Sequence, residues 1–405
     1  MQVLYGRCCG IDVHKKMLAV CLKTGKKQEL REYVTHTKEL RELANWLIEN
    51  ECEKVAMEST GNYWKPVYNV LELMGLDIMV VNAQHMKAVP GLKTDMNDAQ
   101  WIADLLQHGL LKGSFIPDRD QRELRDVTRY RKSLVEERAR EINRLEKTLE
   151  GCNIKLSSIV SHLTGLSSRN LIGAVIAGSV TEERIDELSY GKVKEKKAEL
   201  LLALDGVLSP VQKRLITAIL DHIDDMSRRI GDVDDIISGE MKKYEDAIKS
   251  VDEIPGIGRQ SAEVILAEIG IDMSRFPTAA HLASWAGVCP GNYESAGKRK
   301  SGRTNKGNPT LKTTLVQCAK AAVKKKDTFF RSQYERISIR RGANRASMAV
   351  AHSILIAIYH MLKFNQPFHD LGRDYYHQFN PKKKINNDLK KLSDLGWKPP
   401  VSVAG

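Results

Sequence analysis

Gly10-Ile11-Asp12-Val13, His14-Lys15-Lys16 and Met17-Leu18-Ala19-Val20-Cys21-Leu22 form two apolar runs around a three-residue polar break. Short apolar runs separated by such a break read as a β-hairpin, with Asp12 near the end of its first strand. A further run, Lys54-Val55-Ala56-Met57, ends on Glu58, and Ser59-Thr60-Gly61-Asn62 turns the chain into a helix starting near Tyr63. Asp95 and Asp98 then open an amphipathic helix carrying Ala99, Ile102, Ala103, Leu105 and Leu106. Their spacing of three puts both on nearly one face. Strands alternating with helices predict an α/β domain at this end of the chain.

The four acids Asp12, Glu58, Asp95 and Asp98 each stand beside a different element boundary, where side chains are well placed for chemistry. Hard cations such as Mg2+ take oxygen ligands and keep several waters. Phosphoryl-transfer sites often hold two such ions about 3.5–4 Å apart, bridged by carboxylates. Each acid also has an ordinary structural reading: Asp12 as a turn former, Glu58 as a solvated strand end, Asp95 as a helix cap and Asp98 as a favourable charge in the first turn. The ordered set favours the metal site over four separate coincidences.

The chain has 405 residues, which predicts two or three domains with a large buried core. Its longest apolar stretch, Met348 to Leu362, includes His352, Ser353 and His360 and reads as a buried helix rather than a membrane span. The first residues, Met-Gln-Val-Leu-Tyr-Gly-Arg, lack the pattern of a signal peptide, so a cytosolic protein is expected. The seven cysteines are odd in number and form no Cys-x-x-Cys pair, which argues against a disulfide framework or structural zinc. They read as reduced, mostly buried thiols.

The net charge of +12 is concentrated in one place. Lys298 to Arg345 holds 15 Lys and Arg against the two acids Asp327 and Glu335, leaving 48 basic and 49 acidic residues elsewhere. Leu311, Leu315, Val316, Phe329, Phe330 and Tyr334 are interleaved with these charges, so the block is folded as well as basic. A folded basic surface suits phosphate backbones, although a solvated face has the same composition.

In the middle of the chain, Ile216, Ile219, Ile223, Met226, Ile230, Val233 and Ile237 alternate in steps of three and four, a coiled-coil seam. An earlier long helix, roughly 121 to 150, has weaker periodicity because Arg131 and Arg138 interrupt it. The two could pair within one chain or between chains. One or two short helices are expected between 181 and 204, and no internal repeat is visible.

Ile254-Pro255-Gly256-Ile257-Gly258 leads into a helix with Ala262, Val264, Ile265, Leu266 and Ile269. Such a turn resembles a helix-hairpin-helix element, whose N–H groups at Gly256 and Gly258 can hold a phosphate, or it is a plain inter-helix turn. Downstream, Tyr293-Glu294-Ser295-Ala296-Gly297 places a serine in a small-residue turn, followed by Lys298, Arg299, Lys300, Arg303 and Lys306 and a helix from Pro309. A serine held in line, with cations beside it, can attack phosphorus.

These motifs resemble those of insertion-sequence transposases of the DEDD type. The resemblance rests on Gly10-Ile11-Asp12-Val13-His14-Lys15, Met57-Glu58-Ser59-Thr60-Gly61 and Lys93-Thr94-Asp95-Met96-Asn97-Asp98-Ala99 at one end. At the other it rests on Ile254-Pro255-Gly256-Ile257-Gly258, Glu294-Ser295-Ala296-Gly297-Lys298 and Lys306-Gly307-Asn308, so it covers most of residues 1 to about 365. It implies a RuvC-like (RNase H-like) α/β catalytic domain over 1–117, a helical coiled-coil region over 118–250, a mostly α-helical serine transposase domain over 251–370 and a basic tail over 371–405. It also implies that Asp12, Glu58, Asp95 and Asp98 bind Mg2+ or Mn2+ and that Ser295 forms a transient phosphoserine link to donor and target DNA. A homo-oligomer, dimer or tetramer, would build composite sites from the acids of one subunit and the serine of another, guided by an RNA encoded beside the element. Residues 181–204 and the lysines at 382–384 and 390–391 match no motif of that family.

Three rival readings keep parts of this pattern. A junction-resolving nuclease would use the acids to activate water and need no serine. A nucleic-acid-binding regulator would keep the fold without the chemistry. A sugar-kinase-like ATPase also opens on a Gly-Ile-Asp strand, but the chain has no second Asp-Gly-Thr phosphate loop, and the basic block suits a polymer better than ATP.

Overall fold

The computed structural model describes residues 3–59, 61–81, 98–291, 293–295, 298–301 and 304–378, with 385, 389 and 394 as isolated positions. It divides into two units, Met1–Arg119 and Asp120–Gly405.

The first unit contains β1 (Arg7–Val13), β2 (Met17–Thr24), β3 (Lys27–Val34), α1 (Thr37–Glu49), β4 (Lys54–Glu58), α2 (Trp64–Leu73), β5 (Ile78–Val81) and α3 (Asp98–Gln107). The strands form one mixed sheet in the order β3-β2-β1-β4-β5. The expected hairpin is β1–β2, antiparallel with Asp12 opposite Ala19, and β2 continues antiparallel into β3. From β1 the sheet runs parallel through β4 to β5, and parallel neighbours need crossovers, which α1 and α2 supply.

Strand β3 is missing from the sequence reading for a physical reason. Seven of its eight residues are exposed, so it carries no apolar alternation, and its charges suit an unpaired edge.

The pleat sorts β1 into two faces. Cys9, Ile11 and Val13 join Val55, Met57, Leu43, Leu47, Val67 and Leu71 in the core on the α1–α2 side. On the other side Cys8 and Ala56 pack with Ile102 and Leu106 of α3. Each large apolar side chain buried on these faces contributes about 1.5–3 kcal/mol.

Among the described residues the second unit is helical apart from one hairpin. Two long helices dominate its first half: α4 (Arg119–Gly151), whose first residue falls at the unit boundary, and α9 (Pro210–Met241). Between them lie α5 (Leu156–Ile159), α6 (Leu166–Ala177), α7 (Glu182–Leu188) and α8 (Lys197–Ala203). The start of α9 is set locally: Ser209 Oγ accepts from the Gln212 N–H at 3.2 Å, Gln212 Oε1 accepts from the Ser209 N–H at 2.8 Å, and Pro210 occupies the first turn.

All seven seam residues of α9 are buried within the chain. Leu145 and Leu149 of α4 share a core with Ile216, Ile219, Ile223 and Met226. Arg131 pairs with Asp234, Arg138 Nη1 donates to Ser227 Oγ at 3.2 Å, and Glu141 lies 3.7 Å from His222. Partner numbers fall along α9 as they rise along α4, so the two pack antiparallel inside one chain. The arginines that interrupt the periodicity of α4 are therefore inter-helix contacts with partners on α9.

The second half comprises α10 (Glu245–Asp252), α11 (Arg259–Ile269), α12 (Ala279–Ala286), the hairpin β6 (Tyr293–Ser295) and β7 (Lys298–Ser301), α13 (Pro309–Ala322), α14 (Phe329–Arg341), α15 (Ala343–Phe364) and α16 (Tyr375–Gln378). Among the described residues α15 is the one helix long and apolar enough to cross a membrane by length and composition. Val350, Ala351, Ile354, Leu355, Ile358 and Tyr359 bury its inner face, and Tyr359 donates its hydroxyl to the Phe276 carbonyl at 3.0 Å. Five of the seven cysteines are buried, and Cys52 and Cys289 are partly so.

Candidate functional site

Asp12 and Glu58 end two neighbouring parallel strands. The β1–β4 register pairs Gly10 with Ala56 and Ile11 with Met57, so the next residues along are Asp12 and Glu58. Asp12 follows Cys8 and Gly10 in the alternation, and Glu58 follows Ala56, so both belong to the face covered by α3.

Gly10 fixes how closely α3 lies. A Cβ there would stand 2.3 Å from the Ala99 carbonyl oxygen and 2.4 Å from the Ala103 nitrogen. The backbone of the helix rests directly on β1 in the space a side chain would fill. Cys8 Sγ lies 3.7 Å from the Ala103 oxygen, so α3 runs opposite to β1 and its N-terminus points toward Asp12. Asp98 is the first residue of that helix, immediately before the contact residue Ala99.

Asp12 is 7% exposed, and its Oδ2 lies 3.0 Å from His14 Nε2 across the tight turn. A buried carboxylate needs such a partner. His14 itself is exposed, and the turn is closed by the His14 N–H donating to the Met17 carbonyl at 3.0 Å. Sequence reasoning read His14 as a turn residue only; its position two residues after Asp12 in a hairpin is the signal that places it there.

The donor chemistry of Asp12, Glu58 and Asp98 is carboxylate oxygen throughout, which fits a hard divalent cation. Among the described residues no three His, Cys, Asp or Glu side chains already converge as a formed metal site. Asp95 lies outside the described residues.

The thiols near these strands are not nucleophiles. Burial pushes the Cys8 thiol up to about 11 against a partial opposing pull from Lys23, and pushes Cys52 up to about 12.

Ser295 is the last residue of β6, paired in register with Lys298 of β7. The sequence reading put it in a turn; the backbone puts it at a strand end, with Lys298, Arg299 and Lys300 on the facing strand. Arg303, Ala296 and Gly297 lie outside the described residues, and Lys306 is exposed.

The base of this hairpin is anchored tightly. A Cβ on Gly307 would meet the Gly287 nitrogen at 2.4 Å, so the chain leaving the hairpin lies backbone to backbone on the end of α12. Next in the chain, Asn308 caps α13 by accepting from the Leu311 N–H at 3.0 Å and donates Nδ2 to Glu268 Oε2 at 2.6 Å.

Glu268 is fully buried. Arg129 of α4 grips its carboxylate with Nε at 2.7 Å and Nη2 at 2.8 Å, and Arg125 Nε lies 3.5 Å away. Burial would lower the Arg129 pKa, but the hydrogen bond and charge of Glu268 outweigh it and raise the value. Thus α4, α11 and the cap of α13 meet at one carboxylate. Sequence reasoning missed Glu268, because a glutamate inside an apolar helix announces no partner until α4 is folded beside it.

Gly256 and Gly258 divide the work of their turn. Gly256 has φ +86°, and a Cβ there would stand 2.3 Å from the Ala322 nitrogen and 2.5 Å from the Cys318 oxygen of α13. It serves close packing. Gly258 precedes α11 with nothing near its Cβ position, so it is not required there for close packing. Arg259 pairs with Glu245 at 2.7 Å and Glu263 at 3.0 Å.

Comparison with known proteins matches both ends of the chain. Residues 9–154 match a family of DEDD transposases of the IS110 type, and residues 249–335 match the transposase family IS116/IS110/IS902. An insertion element IS116 protein of 44.8 kDa from Streptomyces clavuligerus is 24% identical over 316 residues, 68% of this chain and 77% of that protein. An insertion element IS110 protein of 43.6 kDa from Streptomyces coelicolor is 34% identical over 113 residues, 27% of each chain.

Proposed function

We propose, for a chain that belongs to the IS116/IS110/IS902 transposase family and is thereby a DNA transposase, that it is a site-specific recombinase working through a serine-linked intermediate. One observation carries this reading: the parallel register sets Asp12 and Glu58 at adjoining strand ends, beneath the start of the helix that bears Asp98. That arrangement and the mixed sheet support a RuvC-like catalytic domain.

Asp12, Glu58, Asp95 and Asp98 would hold Mg2+ or Mn2+. The ion supplies charge neutralisation for the attacked phosphate and its leaving oxygen. His14 holds the Asp12 carboxylate in place. Ser295 Oγ attacks the scissile phosphorus; the Oγ–P bond forms as the bond to one deoxyribose oxygen breaks, and the serine proton ends on that oxygen. The hydroxyl of the incoming strand then displaces the serine, which regains a proton. Lys298, Arg299, Lys300, Arg303 and Lys306, with the N–H group at Gly258, bind phosphates of donor and target DNA, and Gly256 shapes the turn by packing on α13.

The family resemblance implies composite sites in a homo-oligomer, dimer or tetramer, with the acids of one subunit meeting Ser295 of another. An RNA encoded beside the element would supply base specificity, leaving the protein to read shape and backbone.

Substitution separates the roles. Asp12→Asn or Asp98→Asn should abolish strand exchange while DNA binding and folding persist. Ser295→Ala should also abolish the denaturation-resistant protein–DNA adduct, with Ser301→Ala much milder. Full recombination by Ser295→Ala, or a DNA phosphate mapped to Ser301 by mass spectrometry, refutes the nucleophile; metal-dependent cutting without an adduct favours a junction nuclease.

A further inference from the structure

A cavity of about 330 Å³ opens on α14 and α15, away from the serine hairpin's own residues. Phe329, Phe330 and Phe368 wall it, Ile356 and Ala357 line it from α15, and its polar lining groups are His352, Ser353 and His369. The volume lies at the lower end of the roughly 300–1,000 Å³ typical of small-molecule sites. No carboxylate is among its described lining residues, so it holds no countercharge for a hard cation.

Phe329 and Phe368 are half-buried and keep part of their ring surface open, while Phe330 is buried behind them. The Phe330 and Phe368 rings lie nearly parallel, 19° apart with centroids 6.0 Å apart. Phe329 stacks in turn on Tyr376 at 5.5 Å, and the Arg336 guanidinium sits 4.6 Å over Tyr376. His352, Ser353, Ile356, Ala357, His360 and Phe364 follow helical spacing along one stripe of α15. Beyond the cavity this stripe ends in His360 and Phe364, both exposed and stacked on each other at 5.8 Å and 7°.

The polar groups are incompletely used. Gln333 donates Nε2 to Ser353 Oγ at 2.9 Å, which leaves the Ser353 hydroxyl hydrogen for another partner. Burial holds the His352 imidazole below its ordinary pKa, and a neutral imidazole both donates and accepts.

We propose that this cavity receives one unstacked nucleobase of a single strand, stacked on the half-buried Phe329 and Phe368 and read at its edge by His352, Ser353 and His369. The proposal rests on the reading of the chain as a nucleic-acid enzyme. Aromatic faces bind single-stranded bases by stacking, and arginines nearby suit the phosphates that flank them. Arg336 of α14, seated over the Tyr376 ring that stacks on Phe329, lies within the stretch that holds the basic excess of the chain. A greasy metabolite would need neither the two imidazoles nor that charge.

The full-length protein is titrated with short single-stranded DNA and RNA oligonucleotides carrying a fluorescent adenine analogue, quenched by stacking, at one position each. Wild type should quench the analogue when one base enters the cavity, in the RNA or the DNA series according to the source of the strand. Ala357→Phe fills the space without removing a wall and should weaken single-strand affinity about 5- to 150-fold, from a stacking loss of roughly 1–3 kcal/mol per base. Duplex affinity should be unchanged. His352→Ala with Ser353→Ala, which removes edge contacts and leaves the walls, should lower affinity in the same series and so covers a folding failure of Ala357→Phe. Binding without quenching at any position, or folded variants that bind single strands as wild type does, overturns the base site alone; a wild type that binds neither duplex nor single strand overturns the nucleic-acid reading with it.

Discussion

Gly10→Ala adds one methyl group in the middle of β1, at a position that demands no left-handed backbone, so its effect is purely one of distance. The new Cβ would stand 2.3 Å from the Ala99 oxygen and 2.4 Å from the Ala103 nitrogen. Comfortable contact needs about 3.5 Å, so α3 has to retreat by about 1 Å. Overpacking of this kind costs about 1–3 kcal/mol, less than the roughly 5–15 kcal/mol by which a domain is stable. The first unit should therefore still fold. Asp98 adjoins Ala99 and moves with it, and misplacing a catalytic group by about 1 Å costs about 100-fold in rate. The assay is single-turnover strand transfer at saturating Mg2+, with circular dichroism as the folding control. Gly173→Ala, in α6 with open space at its Cβ position, should leave the rate unchanged. A folded Gly10→Ala protein with the wild-type rate refutes the assignment of Asp98 to the site through this contact.

Glu268→Ala removes a buried carboxylate that accepts from the partly exposed Arg129 and from Asn308, and should destabilise the second unit by about 1.5–3 kcal/mol, read from the denaturant midpoint at constant slope. Gly256→Ala combines a left-handed backbone with a clash against α13 and should cost more than about 2 kcal/mol, whereas Gly258→Ala should be mild in thermal unfolding. Replacing Lys298, Arg299, Lys300 and Arg303 with alanine should flatten the slope of log K against log salt by up to about 3.6, and an unchanged slope places the phosphate contacts elsewhere. Cys8 and Cys52, whose raised thiol pKa values of about 11 and about 12 leave almost no thiolate at neutral pH, should resist iodoacetamide until the protein is denatured; rapid native labelling contradicts their burial.

What could be read from the linear chain was whatever local chemistry determines. The β1–β2 hairpin, the strand ending on Glu58, the helix from Asp98, the seam of α9 and the charge block all follow from periodicities and turn residues separated by only a few positions. So did the identity of three acids at element boundaries, because a strand end or a helix start is announced by the residues beside it. The antiparallel pairing of α4 with α9 within one chain was not legible, since an apolar seam is satisfied equally by either partner. The pairs Arg131–Asp234, Arg138–Ser227 and Glu141–His222, with the core that Leu145 and Leu149 share with Ile216 and Ile219, select the intrachain arrangement. Edge strand β3 escaped because solvent, not a core, faces most of its side chains. The buried carboxylate of Glu268 and the close approach at Gly10 escaped for a common reason: each depends on a neighbour more than 85 positions away in sequence, and only folding brings that neighbour within contact.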